Sequence, residues 1–424
     1  MSVSTFLVRI ALLLVFVIGI DVYAFRAFRL AMTSIPSERL QQIAAQFYIA
    51  VSAIFIIGVI IALSQFKKFT PPNRTYLALI MGGFILLYVP KLILVIVLLI
   101  EDILRLLRAG GVGIGKLTGH AFDNTPYFEG RRQFFSQAAL LLAAIPFVST
   151  IYGLYKGRYR FTVHKVTLQF KNLPKAFDGL TITQLSDMHM GSFDNPTEVK
   201  KGIDLVNAQQ SDLLLFTGDI VNNMAAELEP WMDQLKQLKS KMGSYSILGN
   251  HDYGDYMEWP SIAQKQANLD RLKTMHKEIG FKLLLNESIA LEKNGEKIYL
   301  VGMENWGNGS FAKYGDLNKS LSGVPAEQFK ILMSHDPSHW DAQTLHHPTP
   351  VELTLAGHTH GMQFGIEIPG FQWSPVKYRY PRWAGLYTDG KQHLYVNRGF
   401  GYIGFPGRVG IWPEITVITL RSLT

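Results

Sequence analysis

Four long apolar segments, at residues 6–24, 47–63, 76–100 and 134–154, crowd the start of the chain. Each has enough residues to cross a hydrocarbon core of about 30 Å at about 1.5 Å per residue. Residues 1–155 are therefore expected to form a membrane domain of four transmembrane helices, and a hydrophobic content of 48% agrees with an embedded portion. The first segment is the weakest, because Arg9 and Asp21 confine its uncharged run to residues 10–20, and its charged ends must snorkel to the interfaces. A signal peptide ending at Val22-Tyr23-Ala24 is the alternative, but the three further spans favour an uncleaved anchor. The third span contains Pro90 and Lys91, which reads as a kinked helix whose lysine reaches a headgroup or another helix.

Four spans place both ends of the chain on one side. Lys67, Lys68, Arg74, Lys156, Arg158 and Arg160 belong to that side, and Arg26, Arg29, Arg39, Arg105, Arg108, Lys116, Arg131 and Arg132 to the other. The richer side is expected to be cytoplasmic. The stretch "GRRQFF" before the fourth span resembles a twin-arginine export signal, with Ser136 where lysine is often found. Both features put residues 156–424 on the extracytoplasmic side. Between spans three and four, "GGVGIGKLT" sets Gly110, Gly115 and Lys116 at P-loop spacing, but Leu117 stands where a Mg²⁺-binding hydroxyl is required and no strand precedes it. A flexible glycine loop is expected there.

Beyond residue 159 the pattern changes to short apolar runs separated by polar, helix-compatible stretches, as in an α/β or α+β domain. Expected core strands are "LTITQL", "DLLLFT", "YSIL", "KILMS" and "ELTLA", followed later by "HLYVN" and "ITVITL". The first five run into Asp187 and His189, Asp219, Asn250 with His251 and Asp252, His335, and His358 with His360. Residues just past the carboxyl ends of strands in an open sheet gather in one crevice, so groups distant in sequence can converge. With no cysteine in the chain, disulfides and thiolate sites are excluded, and any metal must be held by His, Asp, Glu or Asn. Asp187, His189, Asp219, Asn250, His335, His358 and His360 are too many ligands for one ion and suit two if a carboxylate bridges. Taken singly, each fragment is an ordinary polar turn; five in order, each closing an apolar strand, point to metal.

This ordered set resembles the calcineurin-like metallophosphoesterases, whose pattern is D-x-H, GD-x-x-D, GNH-D/E, H and GH-x-H, over residues 168–424. It is most similar to their membrane-associated branch, which includes twin-arginine-exported phosphoesterases and UDP-2,3-diacylglucosamine hydrolase-like members. The resemblance implies a four-layer α/β/β/α sandwich over residues 156–424, with two divalent ions at one end, Mn²⁺ favoured and Fe or Zn²⁺ suitable. It further implies that Asp187, His189 and His360 bind one ion, Asn250, His335 and His358 the other, and Asp219 bridges. His251 would contact the phosphate and protonate the leaving oxygen, and Asp252 would orient it. The chain departs from the pattern at "GDIVN", where Asn222 replaces the final Asp and is expected to keep a hydrogen bond behind the ligands.

The expected activity is hydrolysis of a phosphoester or pyrophosphate by a membrane-anchored enzyme. The formal charge of +8 suits phosphorylated substrates, anionic lipid or nucleic acid alike, and no nucleic-acid partner is expected. The aromatic, glycine-rich tail at 400–412 suggests a loop resting on the bilayer and hence a lipid-linked substrate, with Arg398 and Arg408 as candidate phosphate contacts. Soluble nucleotides or phosphoproteins are the rival substrates. A transport or sensory protein with a structural metal site is a third reading, disfavoured by the few polar residues in the spans and by His251.

Overall fold

The structure, a computed structural model, describes residues 3–64, 74–118 and 129–423. The chain divides into two compact units, Met1–Tyr152 and Gly153–Thr424.

The first unit consists of α1 (Val3–Met32), α2 (Glu38–Ser64), α3 (Arg74–Thr118) and α4 (Glu129–Tyr155). All four contain windows long and apolar enough to cross a membrane. Phe16, Phe47, Ile54 and Leu141 stand exposed on their outer faces, a distribution that lipid tolerates and water does not. Asp21, expected to snorkel from the end of the first span, is buried instead. Its carboxylate pairs with the Lys91 ammonium and accepts from Ser52 Oγ at 2.9 Å and Tyr88 Oη at 2.7 Å, so a charge inside the bundle is matched by a countercharge and hydroxyls. Lys91 thus reaches another helix, and α3 carries Pro90 without interruption. The "GGVGIGKLT" stretch is not a loop: α3 continues to Thr118, so its glycines are helical. Lys67 and Lys68, used in weighing orientation, and the Lys116 side chain lie outside the described residues.

The second unit is built on two six-stranded sheets. The strands are β1 (Thr162–Phe170), β2 (Thr181–Leu185), β3 (Leu213–Phe216), β4 (Gly243–Ser246), β5 (Phe281–Leu283), β6 (Glu287–Lys293), β7 (Glu296–Gly302), β8 (Lys330–Met333), β9 (Leu353–Ala356), β10 (Ile366–Ile368), β11 (Phe371–Trp373), β12 (Gly385–Asp389), β13 (Gln392–Val396) and β14 (Glu414–Ser422). One sheet has the order β1-β14-β2-β3-β4-β5, the other β12-β13-β9-β8-β7-β6, and β10-β11 is a separate hairpin. Strand β3 shows how sequence fixes the layers. Its residues Leu213 and Leu215 point into the core shared with Ile331, Met333, Leu353 and Leu355 of the second sheet. Leu214 and Phe216 point the other way, onto Val199 and Ile203 of α5 (Pro196–Asn207) and Leu272 and Met275 of a later helix. A strand buried on both faces is apolar throughout, which is why "LLLF" shows no alternation.

That later helix, α7 (Ile262–Ile279), follows the single turn α6 (Met232–Leu235) and carries His276 into the core, where Nδ1 meets Ser246 Oγ at 3.0 Å. Burial pushes the His276 pKa down from 6.5 to about 4. A depressed histidine contributes stability that is present above pH 6.5 and lost as pH falls toward 4, because the unfolded chain takes up the proton first. The interval corresponds to about 3 kcal/mol. His276→Leu is expected to flatten the acid limb of the denaturant midpoint between pH 6.5 and 4 by an amount of that order; an unchanged limb would show that His276 does not titrate there.

Candidate metal centre

The parallel strands β2 and β3 of one sheet and β8 and β9 of the other end at the same edge, and the residues that follow them meet there. Five of these residues leave their strands in the left-handed region: Asp187 (φ 51), His189 (φ 46), Asp219 (φ 61), His358 (φ 71) and His360 (φ 52). Such backbone is sparsely populated for residues with a Cβ and persists where the surroundings impose it. Gly218 (φ 97) is required as glycine for the same reason, and a Cβ there would also lie 2.5 Å from Gly249 N.

The side chains form two groups. Asp187, His189 and His360 offer ligand atoms within 4.8 Å of one another, as do Asp219, His335 and His358. In the first group His189 Nε2 faces His360 Nε2 at 3.0 Å, and His360 Nε2 lies 3.2 Å from Asp187 Oδ1. In the second, Asn250 Oδ1 lies 3.1 Å from His335 Nε2 and 2.9 Å from His358 Nδ1. Asp219 Oδ2 joins them, 3.1 Å from His335 Nε2 and 3.7 Å from His189 Nε2. All seven residues anticipated as ligands are therefore brought together.

The tautomers fit a cation. His335 Nδ1 is 2.7 Å from the Thr217 carbonyl, which can only accept, so this nitrogen holds the proton and Nε2 is left to face the cluster. Tyr380 Oη, 2.8 Å from His358 Nε2, donates to Asp336 Oδ2 at 3.3 Å and so accepts from the imidazole, leaving Nδ1 unprotonated toward Asn250 and His335. At His335 and His358 a lone pair thus faces the shared space. Electrostatics agree. Burial opposes ionisation of Asp219, yet the His335, His251 and His189 rings outweigh it and hold the carboxyl well below its usual range. Burial likewise disfavours charge on His335, and the Asp219 and Asp187 carboxylates overcome it, raising the imidazole to about 10, so that a second proton on Nε2 takes the place a bound cation would occupy. The cluster demands positive charge, and oxygen and imidazole donors without sulfur suit divalent Mn, Fe or Zn.

Three expected roles change. Asp252 does not orient His251: its buried carboxylate accepts from the backbone N–H groups of Asp219, Ile220 and Gly249, holding the turns that carry Asp219 and Asn250. His251 is oriented instead by the Asn222 carbonyl, 2.8 Å from Nδ1, and its own N–H donates to Asp219 Oδ1 at 2.8 Å. The Asn222 side chain pairs with Ser192 Oγ at 3.1 Å, so this residue acts on the site through its main chain. Arg398 and Arg408 are buried and committed to protein partners. Arg398 pairs with Glu414 and Glu367, both at 2.6 Å, while Arg408 Nη2 donates to the carbonyls of Gly401 at 2.6 Å and Arg398 at 2.7 Å. A phosphate contact by either is not supported.

Sequence reasoning missed Tyr380, Asp336 and Tyr256, whose Oη accepts from Asn250 Nδ2 at 2.8 Å. Asp336 was adjacent to His335 and could have been flagged; nothing local marks the tyrosines. Tyr380→Phe removes the acceptor for His358 Nε2–H, and metal affinity is expected to fall roughly 10–100-fold with the fold intact. Equal affinity of the two proteins in a metal titration would show that Tyr380 does not set the imidazole.

Comparison with known proteins gives concordant matches. A family model described as "Calcineurin-like phosphoesterase" matches residues 180–362, and one described as "Probable Calcineurin-like phosphoesterase, transmembrane domain" matches residues 5–158. The Bacillus subtilis protein YkuE, named an uncharacterized metallophosphoesterase, is 31% identical over 275 residues, covering 64% of this chain and 89% of that one. The Danio rerio protein named transmembrane protein with metallophosphoesterase domain is 29% identical over 295 residues, covering 68% of this chain and 63% of the relative. Its Bos taurus namesake is 27% identical over 289 residues, with coverages of 66% and 62%. The chain thus spans less than two thirds of the length of these two vertebrate relatives.

Proposed function

The chain belongs to the calcineurin-like metallophosphoesterases, and from that premise we propose that it is a membrane-anchored hydrolase of phosphoester or pyrophosphate bonds in which the strand-end cluster holds two divalent cations. The observation that carries this reading is the convergence of seven donors into two groups joined by Asp219. Asp187, His189 and His360 would hold one ion and Asn250, His335 and His358 the other, with Mn²⁺ the first candidate. Bound there, divalent ions supply Lewis acidity and acidify a water molecule. The chain's own contribution to the leaving group is His251. Its Nδ1–H is held by the Asn222 carbonyl, so Nε2, once it has taken up a second proton to give the imidazolium, is the atom that would hand that proton to the departing oxygen. In this reading residues 1–155 anchor the chain and residues 156–424 hydrolyse, with the latter outside the cytoplasm because the loops of the other side carry more Lys and Arg.

The substrate is a phosphorylated compound, and a lipid-linked one, such as UDP-2,3-diacylglucosamine, is the favoured class. The tail that first suggested it no longer supports it, since Phe400, Tyr402, Phe405 and Ile411 are buried in the domain. Support comes instead from the turn at His360–Gln363, which exposes Met362, and the β10-β11 hairpin that follows it, which exposes Ile366, Ile368 and Phe371. Bulky apolar side chains held in water beside a catalytic edge suit acyl chains or a lipid surface. A soluble nucleotide or phosphoprotein is the second reading, favoured by the cleft of about 330 Å³ lined by Asn308, Ser338, Arg379 and Tyr380.

Two variants separate the questions. With Mn²⁺ present, Asn250→Ala and His251→Ala should each abolish hydrolysis of a generic aryl phosphodiester, and retained turnover in both would sink the enzyme reading. Ile368→Asn with Phe371→Asn should slow hydrolysis of a lipid diphosphate at least about tenfold while sparing its water-soluble analogue. Equal slowing of both, or of neither, removes the lipid-linked class.

A further inference from the structure

The membrane unit contains a basic cleft that the hydrolytic reading does not use. Ala24 and Ala27 of α1 pack on Leu94 and Leu98 of α3 and Ala139 and Ala143 of α4, bringing three helices together through small side chains. At one end of that contact lies a cleft of about 380 Å³ lined by Arg26, Arg29, Leu30, Leu98, Arg132 and Ser136 among others. The apolar window of α1 closes at Met32 and that of α4 opens at Arg131, so the cleft sits where two spans of opposite direction leave the hydrocarbon, at headgroup depth.

Its charges are only partly neutralised by the protein. Arg132 lies 3.7 Å from Asp102, a carboxylate that Arg105 Nη2 at 2.7 Å and Tyr23 Oη at 2.6 Å already engage. Among the described residues neither Arg26 nor Arg29 has a carboxylate partner. The cleft also presents a polar atom left without a bond: Ser136 is fully buried and its Oγ has no partner. One turn along α3 from Leu98, on the same face, Glu101 is buried with both carboxylate oxygens unpartnered. Guanidiniums and a free hydroxyl beside an apolar wall match a phosphate with an attached hydrocarbon.

We propose that the cleft between α1, α3 and α4 is a binding site for the phosphate headgroup of an anionic phospholipid. Arg26 and Arg29 grip the phosphate from α1, Arg132 and Ser136 close on it from α4, and Leu30 and Leu98 meet the start of an acyl chain. Arg132, which at sequence level belonged to an export-like motif, acquires a role in the folded protein. The site is separate from the Asp/His cluster and stands or falls without it.

The test uses the full chain in nanodiscs of phosphatidylcholine containing a minor fraction of phosphatidylglycerol, with co-purifying lipid measured by native mass spectrometry after transfer to detergent. Wild-type protein should retain phosphatidylglycerol over phosphatidylcholine, and the double substitution Arg26→Gln, Arg29→Gln should lower that retention roughly tenfold or more at unchanged thermal midpoint. Arg39→Gln, at an exposed arginine of α2 that does not line the cleft, should leave it unchanged. Ser136→Val should weaken retention without altering the far-UV spectrum, a second arm should the double variant fold poorly. Wild-type retention by the double variant, or equal loss with Arg39→Gln, overturns the site. Full displacement of phosphatidylglycerol by millimolar inorganic phosphate assigns the cleft to the free anion and overturns the lipid occupant.

Discussion

Asp219→Asn protein is expected to fold normally and yet lose bound metal and hydrolysis together. The position has φ 61, a conformation that asparagine tolerates well, and the amide keeps an oxygen for the His251 N–H that Oδ1 now accepts at 2.8 Å. What disappears is the negative charge that sits between His335 Nε2 and His189 Nε2. Losing a partner behind a ligand costs about 10–100-fold in metal affinity, so losing the carboxylate shared by both groups should cost more than about 100-fold. Metal analysis after gel filtration and turnover at fixed Mn²⁺ check this together. Full metal content in the variant would mean that the two groups do not share Asp219.

The second large effect is steric. Gly357 precedes His358, and a Cβ there would lie 1.9 Å from Ser186 Oγ and 2.2 Å from Asp187 Oδ2. Gly357→Ala must therefore push the β2 and β9 strand ends apart or swing Asp187 out of the cluster. Overpacking of this kind costs about 1–3 kcal/mol or more. The Asp187 carboxylate also accepts the His358 N–H, at 3.0 and 2.9 Å from its two oxygens, so displacing it unfastens the turn that carries both histidines. The expected result is a lowered unfolding midpoint and near-complete loss of turnover that added Mn²⁺ does not restore. Wild-type stability and rate would show that the strand ends are looser than their contacts imply.

The parts of this architecture that were legible in the sequence are those governed by local chemistry. Membrane helices announce themselves by length and apolarity, and short apolar runs such as "LLLF" and "LTLA", bounded by turn residues, read as buried strands whose ends carry the ligands. What was not legible depends on partners distant in the chain. Asp21 read as a snorkelling end because nothing local reveals Lys91, 70 residues on, as its counterion. The family resemblance made Asp252 the partner of His251, whereas its geometry serves backbone N–H groups near Asp219. The tail at 400–412 read as an interfacial loop because its composition is amphipathic. Its rings instead fill gaps in the domain, Phe400 stacking on Phe161 at 4.4 Å and Tyr402 meeting Phe193 at 5.2 Å. Strands β1, β5, β6, β7, β10, β11 and β12 were not anticipated, since partly exposed strands such as "ESIALEK" carry weak periodicity.

The most direct measurement is a metal titration of the chelator-treated full chain, reading bound Mn²⁺ per chain and hydrolysis of an aryl phosphodiester on the same samples. Hydrolysis should vanish on chelation and return as occupancy approaches two ions per chain, while His251→Ala protein binds the same metal and stays inactive. Turnover that survives chelation, or that returns equally in His251→Ala protein, would contradict the assignment of this cluster as the hydrolytic centre.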